Sequence, residues 1–227
     1  MGPVLTAQDL LVRRHIYVEF VSRGHPPTAG DTATALGLPP SAVLGSYLNL
    51  HESHAIVLRH GDASRVRVAH PMSAFPTPFW VTTNRGSWWG NCIWDSLGIA
   101  AMLKADAVVE TRSGASGDPM RVEVRGGRLV DDRGFVHIPV PARQWWDDID
   151  FTCANILLFA SAKELPVWLA RTGLARGEVV PLATMWALAN QWYGDRMEPK
   201  WRPRAPEAAQ AILAGLGLKA PFWRLHP

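Results

Sequence analysis

The sequence predicts an α+β protein, with a winged-helix-like N-terminal module followed by a mixed, mostly antiparallel sheet domain with flanking helices. Three observations carry this. Residues 7–52 hold three segments with helical spacing of apolar side chains, punctuated by Gly and Pro. Two short β-branched runs follow on either side of Gly61-Asp62-Ala63-Ser64, which completes the three-helix-and-hairpin order of a winged helix. Beyond Pro78, short strand runs mix with helical runs, as in an α+β domain.

Taken in order, residues 7–23 read as a helix with Leu10, Leu11, Arg14, Ile16, Tyr17, Phe20 and Val21 on one face, stopped by Gly24-His25-Pro26-Pro27. Thr28 to Leu38 is a short second helix, ended by Gly37 and Pro39-Pro40. Ser41 is a candidate cap for a third helix reaching Glu52, with Val43, Leu44, Tyr47, Leu48 and Leu50 facing inward. Residues 55–59 and 65–69 are the hairpin strands, and the three prolines between Pro71 and Pro78 mark a linker. Residues 79–83 form a strand with a turn at Asn84-Arg85-Gly86, and Asp95 to Lys104 a helix. Residues 107–111, 120–125, 128–130 and 136–140 are short strands separated by turns at 113–118 and 131–134. The apolar run 155–161 reads as a strand, and residues 163–172, 181–193 and 206–216 as helices. No repeat or low-complexity segment interrupts the chain.

A chain of 227 residues can bury a sizeable core, and the expected division is 1–72 and 79–227. A hydrophobic fraction of 48% with 19% charged residues suits a globular protein, and a net charge of +3 demands no acidic partner. No stretch is apolar enough to cross a membrane, and no basic segment followed by an apolar core marks a secretory leader. A cytoplasmic protein without a membrane partner is therefore expected. Two cysteines do not make a disulfide framework, so reduced thiols are the default, with one structural disulfide as the alternative.

Those two cysteines organise the functional reading. Cys92 opens Cys92-Ile93-Trp94-Asp95, at or just before a helix start, where the helix dipole favours a thiolate. A plain buried thiol is the alternative. Asp95, three residues on, falls on the same side of a helical turn and could relay a proton beside the sulfur, or simply cap the helix. Cys153 precedes the apolar run and is either a core thiol or a second ligand that chelates a soft ion with Cys92. Trp88, Trp89 and Trp94 surround Cys92, and Trp145 and Trp146 precede Cys153; they could wall a dry pocket or fill the core. Asp147, Asp148 and Asp150 read as solvated or capping. His51, His54 and His60 lack the further ligands that a zinc site needs. There is no phosphate-binding glycine loop, dinucleotide fingerprint or serine-hydrolase elbow.

The stretch from Phe75-Pro76-Thr77-Pro78 through Asn91-Cys92-Ile93-Trp94-Asp95-Ser96-Leu97-Gly98 to Phe151-Thr152-Cys153 and Leu158-Phe159-Ala160-Ser161 resembles the organomercurial lyase (alkylmercury lyase) family. The order of elements matches over roughly residues 8 to 190, the N-terminal module included. The resemblance implies that Cys92 and Cys153 are the catalytic thiols and Asp95 the catalytic acid, and that the reaction is protonolysis of a carbon–mercury bond. One thiolate captures the organomercurial, the second joins it, and Asp95 takes a thiol proton and passes it to the leaving carbon. Hydrocarbon departs and mercury(II) stays on Cys92 and Cys153, beside Asp95, until low-molecular-weight thiols remove it. A mercuric reductase is a further candidate acceptor, and no permanent cofactor is implied.

There are departures. Well-known members carry a further cysteine where Ser113-Gly114-Ala115-Ser116-Gly117 stands, and another beside the later catalytic one, where this chain has Ala154. The tail 192–227, with Trp201, Phe222 and Trp223, lies beyond the resemblance; it could cover the pocket, mediate a dimer or mark a branch with another substrate.

Three other functions compete. The same machinery could cleave a carbon–metalloid or carbon–sulfur bond. The protein could bind mercury or zinc without turnover. It could be a winged-helix regulator that senses a soft metal, but the third helix has no Arg or Lys for phosphates and bases. Residues 1–72 carry six arginines, no lysine and five acids, a balance of only +1, which argues against a nucleic-acid partner.

Overall fold

In a computed structural model of the chain, which describes residues 3–226, the first two helices each start on a side-chain cap. Residues 1, 2 and 227, included in the expected divisions, lie outside the described residues. Helix α1 (Ala7–Arg23) opens on a capping box: Thr6 Oγ1 accepts the Asp9 N–H at 3.2 Å, and the Asp9 carboxylate accepts the Thr6 N–H at 2.8 Å. Thr28 and Asp31 repeat the device at α2 (Ala29–Leu36). Gly24 and Gly37, both left-handed with φ of 77° and 64°, end these helices. Helix α3 (Pro40–Glu52) has no side-chain cap; Pro40 occupies its first turn, so Ser41 is not the cap the sequence suggested.

The buried face of α1 is rotated from the expected one. It runs through Val12, Arg13, Ile16, Tyr17, Phe20 and Val21, and leaves Leu11 and Arg14 exposed. The Arg13 guanidinium sits 4.1 Å over the Tyr17 ring and 3.4 Å over the Trp201 ring, a partner supplied from the far end of the chain. On α3, Leu44 and Leu48 are exposed rather than inward.

Strands β1 (Val57–Arg59) and β2 (Asp62–Ala69) form the expected hairpin. The segment expected as a linker contains β3 (Met72–Ser73), which pairs with β2 on one side and with β5 (Gly86–Gly90) on the other. Strand β4 (Trp80–Thr83) turns back into β5, which the two glycines of Gly86-Ser87-Trp88-Trp89-Gly90 hid from a propensity reading. With β6 (Ala107–Arg112), β7 (Pro119–Arg125) and β8 (Arg128–Leu129) they make one antiparallel sheet of eight strands, ordered β1-β2-β3-β5-β4-β6-β7-β8. A second antiparallel sheet places β9 (Phe135–Ile138) between β10 (Leu157–Phe159) and β11 (Glu178–Pro181). The class is α+β.

Helix α4 (Ile93–Leu103) is the centre of the core. Every residue in it is buried, the polar Asp95 and Ser96 included. It contacts β3, β4, β5 and β6 of the large sheet, and also α7 (Leu182–Tyr193). The short helix α5 (Ile149–Ala154) starts at Asp148, whose carboxylate accepts the Phe151 N–H at 2.9 Å. The two remaining helices are α6 (Leu165–Thr172) and α8 (Pro206–Gly215), the latter packed on α7. Trp88 ties the halves together: it is fully buried and its Nε1 donates to the Phe20 carbonyl at 3.1 Å. Among the described residues, no helix is long and apolar enough to cross a membrane.

Candidate active site

Cys92 is the N-cap of α4. Its backbone is extended, with φ of −152° and ψ of −177°, and its Sγ accepts the Asp95 N–H at 3.4 Å. The sulfur thus takes the place of a Ser or Thr cap oxygen, and Asp95 is the third helical residue rather than the cap. This geometry aims the Asp95 carboxylate back at the thiol, with Oδ2 3.5 Å from Cys92 Sγ.

Cys153 reaches the same atom from α5, its Sγ 3.9 Å from Asp95 Oδ2. One ligand atom each from Cys92, Asp95 and Cys153 lies within 4.8 Å of the others, and all three residues are buried. They are the one such group of His, Cys, Asp and Glu among the described residues. Both cysteines are free thiols, so the disulfide alternative is not realised.

Burial changes the electrostatics foreseen for Cys92. Loss of water, reinforced by Cys153 and the Asp95 charge, pushes its thiol well above the ordinary range, although the Asp95 N–H pulls the other way. The helix start alone would favour a thiolate, but desolvation wins.

The cavity over these groups holds about 40 Å³, room for a substituent of a few heavy atoms. Of the two roles open to the tryptophans, Trp94, Trp145 and Trp146 line the cavity, whereas Trp88 and Trp89 do not. Trp89 instead faces Trp80 across the β4–β5 pair, with ring centroids 4.4 Å apart. Trp94 packs against Trp145 at 5.2 Å and against Trp192 at 5.4 Å. Trp146 stacks on His54 at 4.2 Å and meets the edge of His70 at 5.3 Å. Trp223, from the C-terminal tail, supports Trp145 from behind at 6.3 Å. Of the small acidic run, Asp148 caps α5 and Asp150 pairs with Arg67 and with His60, joining α5 to the β1–β2 hairpin.

Sequence reasoning missed three polar wall residues. His70 is buried with Nδ1 3.6 Å from Asp95 Oδ2. Tyr193 donates its hydroxyl to Asp95 Oδ1 at 2.5 Å. Burial and the Asp95 charge push this phenol well above its ordinary range, so it remains a donor. Arg196 lies next to Tyr193, its guanidinium 5.4 Å from the ring. For Tyr193 a signal was present: Leu182, Met185, Trp186, Ala189 and Tyr193 recur at helical spacing on the buried face of α7. Nothing in the sequence pointed to His70 or Arg196.

Comparison with known proteins gives a family match and a likeness of fold. A family model described as MerB, alkylmercury lyase, matches residues 72–194, more than half of the chain. A crystal structure described as the mercury-bound form of MerB2 superposes with a TM-score of 0.66 and 20% identity, covering 86% of this chain and 91% of that one. That likeness bears on the fold. No curated protein matches the sequence.

Proposed function

The chain belongs to the alkylmercury lyase family, and on that premise we propose that it cleaves a carbon–mercury bond by protonolysis at Cys92, Cys153 and Asp95. The observation that carries the proposal is the meeting of the chain's two cysteines with one buried carboxylate under a tryptophan-walled cavity.

The substrate arrives as a thiol adduct, R–Hg–SR′. One protein thiol displaces R′S⁻, its proton leaves with the displaced thiol, and an S–Hg bond replaces the one lost. The second thiol gives its proton to Asp95 Oδ2 and its sulfur to mercury. Two thiolates on mercury weaken the Hg–C bond, and the carboxyl proton passes to the departing carbon as that bond breaks. The products are R–H, R′SH and mercury(II) held by Cys92 and Cys153 beside Asp95. The balance needs both thiols protonated at the start, and the burial that raises the Cys92 thiol favours that state. Mercury's preference for soft thiolates drives capture, and a dry pocket strengthens each electrostatic contact. Low-molecular-weight thiols then remove the metal and restore both thiol protons; a mercuric reductase is a further acceptor. A cytoplasmic setting, where such thiols abound, suits the cycle.

Residues 1–72 have the helix and hairpin order of a winged helix, and we read them as a cover for the catalytic domain 79–227. Arg13, Trp88 and the Arg67–Asp150 pair support that reading, each joining the N-terminal elements to the rest of the chain.

The test is headspace gas chromatography of the protein with methylmercury and phenylmercury in excess thiol, beside Cys92→Ala. Methane or benzene released by the wild type alone is the expected result. Stoichiometric mercury binding without hydrocarbon would make the protein a binder, or place its substrate elsewhere.

A further inference from the structure

Asp95 has two carboxylate oxygens with different surroundings. Oδ2 faces both thiols and His70 Nδ1, at 3.5, 3.9 and 3.6 Å. Oδ1 receives the Tyr193 hydroxyl at 2.5 Å. The terminal torsion of an aspartate is broad and roughly two-fold, so a carboxylate without such a partner can exchange its oxygens by rotation.

We propose that Tyr193 is a positioning residue for protonolysis: its phenol clamps Asp95 Oδ1 and leaves Oδ2 as the one oxygen that trades protons with Cys92 and Cys153. The proposal rests on the lyase reading above and adds to it a residue from the last turn of α7.

Three features support it. A phenol has one O–H to donate, and here that donor is committed to Oδ1, so a proton carried by Asp95 sits on Oδ2, the oxygen within reach of the sulfurs. Tyr193 is only 3% exposed and Asp95 only 1%, so water does not compete for the bond. The ring is also held in place. It lies against Gly98 of α4, where a Cβ would stand 2.8 Å from Tyr193 Cε2 and 2.9 Å from Cγ. The glycine three residues after Asp95 is thus the gap through which α7 brings the phenol to the carboxylate. One turn earlier on α4, Trp94 also packs on the ring at 5.7 Å.

Tyr193→Phe keeps the ring and removes the clamp. Its kcat for hydrocarbon release should fall about 10- to 100-fold, the scale of one hydrogen bond to a charged group. KM and the stoichiometry of mercury(II) binding should change less than about two-fold, because the thiols are untouched. In an Asp95→Ala background, the same substitution should cost nothing further, whereas a merely structural role would cost as much in both backgrounds. Unchanged kcat in Tyr193→Phe, or equal losses in the two backgrounds, would overturn the proposal. A measurement free of turnover separates this from the lyase reading. The Tyr193 hydroxyl proton should give a slowly exchanging downfield NMR resonance that vanishes in Tyr193→Phe and in Asp95→Ala. If the wild type releases no hydrocarbon, the lyase reading fails; if the resonance is missing, the clamp fails, whatever the activity.

Discussion

Arg13, near the start of the chain, donates both terminal guanidinium nitrogens to the backbone carbonyl of Arg196, at 3.2 Å each, across 183 residues of sequence. Burial lowers the Arg13 guanidinium to about 10, yet it remains a cation at neutral pH, held between the Tyr17 and Trp201 rings. The contact fixes the turn that follows Tyr193 against α1. Replacing Arg13 with Met keeps much of the stem and loses both bonds. The expected cost is about 2–3 kcal/mol, read as a lower urea midpoint with an unchanged m-value. A midpoint within error of wild type would show that the two ends of the chain are not coupled through this residue.

Cys92→Ala and Cys153→Ala should each abolish hydrocarbon release, since one sulfur cannot supply both the capturing and the second mercury bond. Asp95→Ala should slow the proton step while still binding mercury(II), because both thiols remain. Gas chromatography and mercury titration distinguish the three variants, and full turnover in either cysteine variant would refute the two-thiol mechanism.

Gly98→Ala tests the packing that seats Tyr193. Alanine is the better helix former by about 1 kcal/mol, but its methyl would press into the Tyr193 ring. Overpacking should win and destabilise the protein by about 1–3 kcal/mol, with a drop in kcat as the phenol is pushed from Asp95. Thermal melts and steady-state rates measure the two effects; a stabilised, fully active variant would contradict this placement of the ring.

The raised Cys92 thiol predicts a loss of stability at alkaline pH. Above the ordinary thiol value of about 8.5, the unfolded chain gives up this proton while the folded protein keeps it. The folded state then binds more protons than the unfolded one, so stability falls as pH rises from there, and stays level below it. Urea unfolding between about pH 7 and 9.5 should show this slope in wild type and a flatter one in Cys92→Ala. Equal slopes would mean that the thiol is not desolvated.

Trp146 separates the buried cavity from an open groove lined by Arg59, His60 and Asp147, and it belongs to the walls of both. Trp146→Ala should therefore expose Cys92 and Cys153 and speed their reaction with a disulfide reagent such as DTNB. A rate equal to wild type would place the entrance elsewhere.

The large outline was legible in the sequence because it rests on local signals. Glycine and proline stops and apolar spacing act within a few residues, and they placed α1, α2, α7 and α8 well. They failed where glycine or proline masked a strand, as in β3 and β5, whose pairing comes from neighbours rather than from propensity. The sequence by itself supplied the candidate groups, two cysteines in the chain and Asp95 one helical turn from the first, and the family resemblance implied their roles. Tertiary structure alone decided that Cys153 meets Cys92, that burial keeps Cys92 a thiol, and that His70, Trp192 and Tyr193 complete the wall. Those outcomes depend on desolvation and on contacts between residues far apart in the chain, and neither is encoded in any one stretch of it.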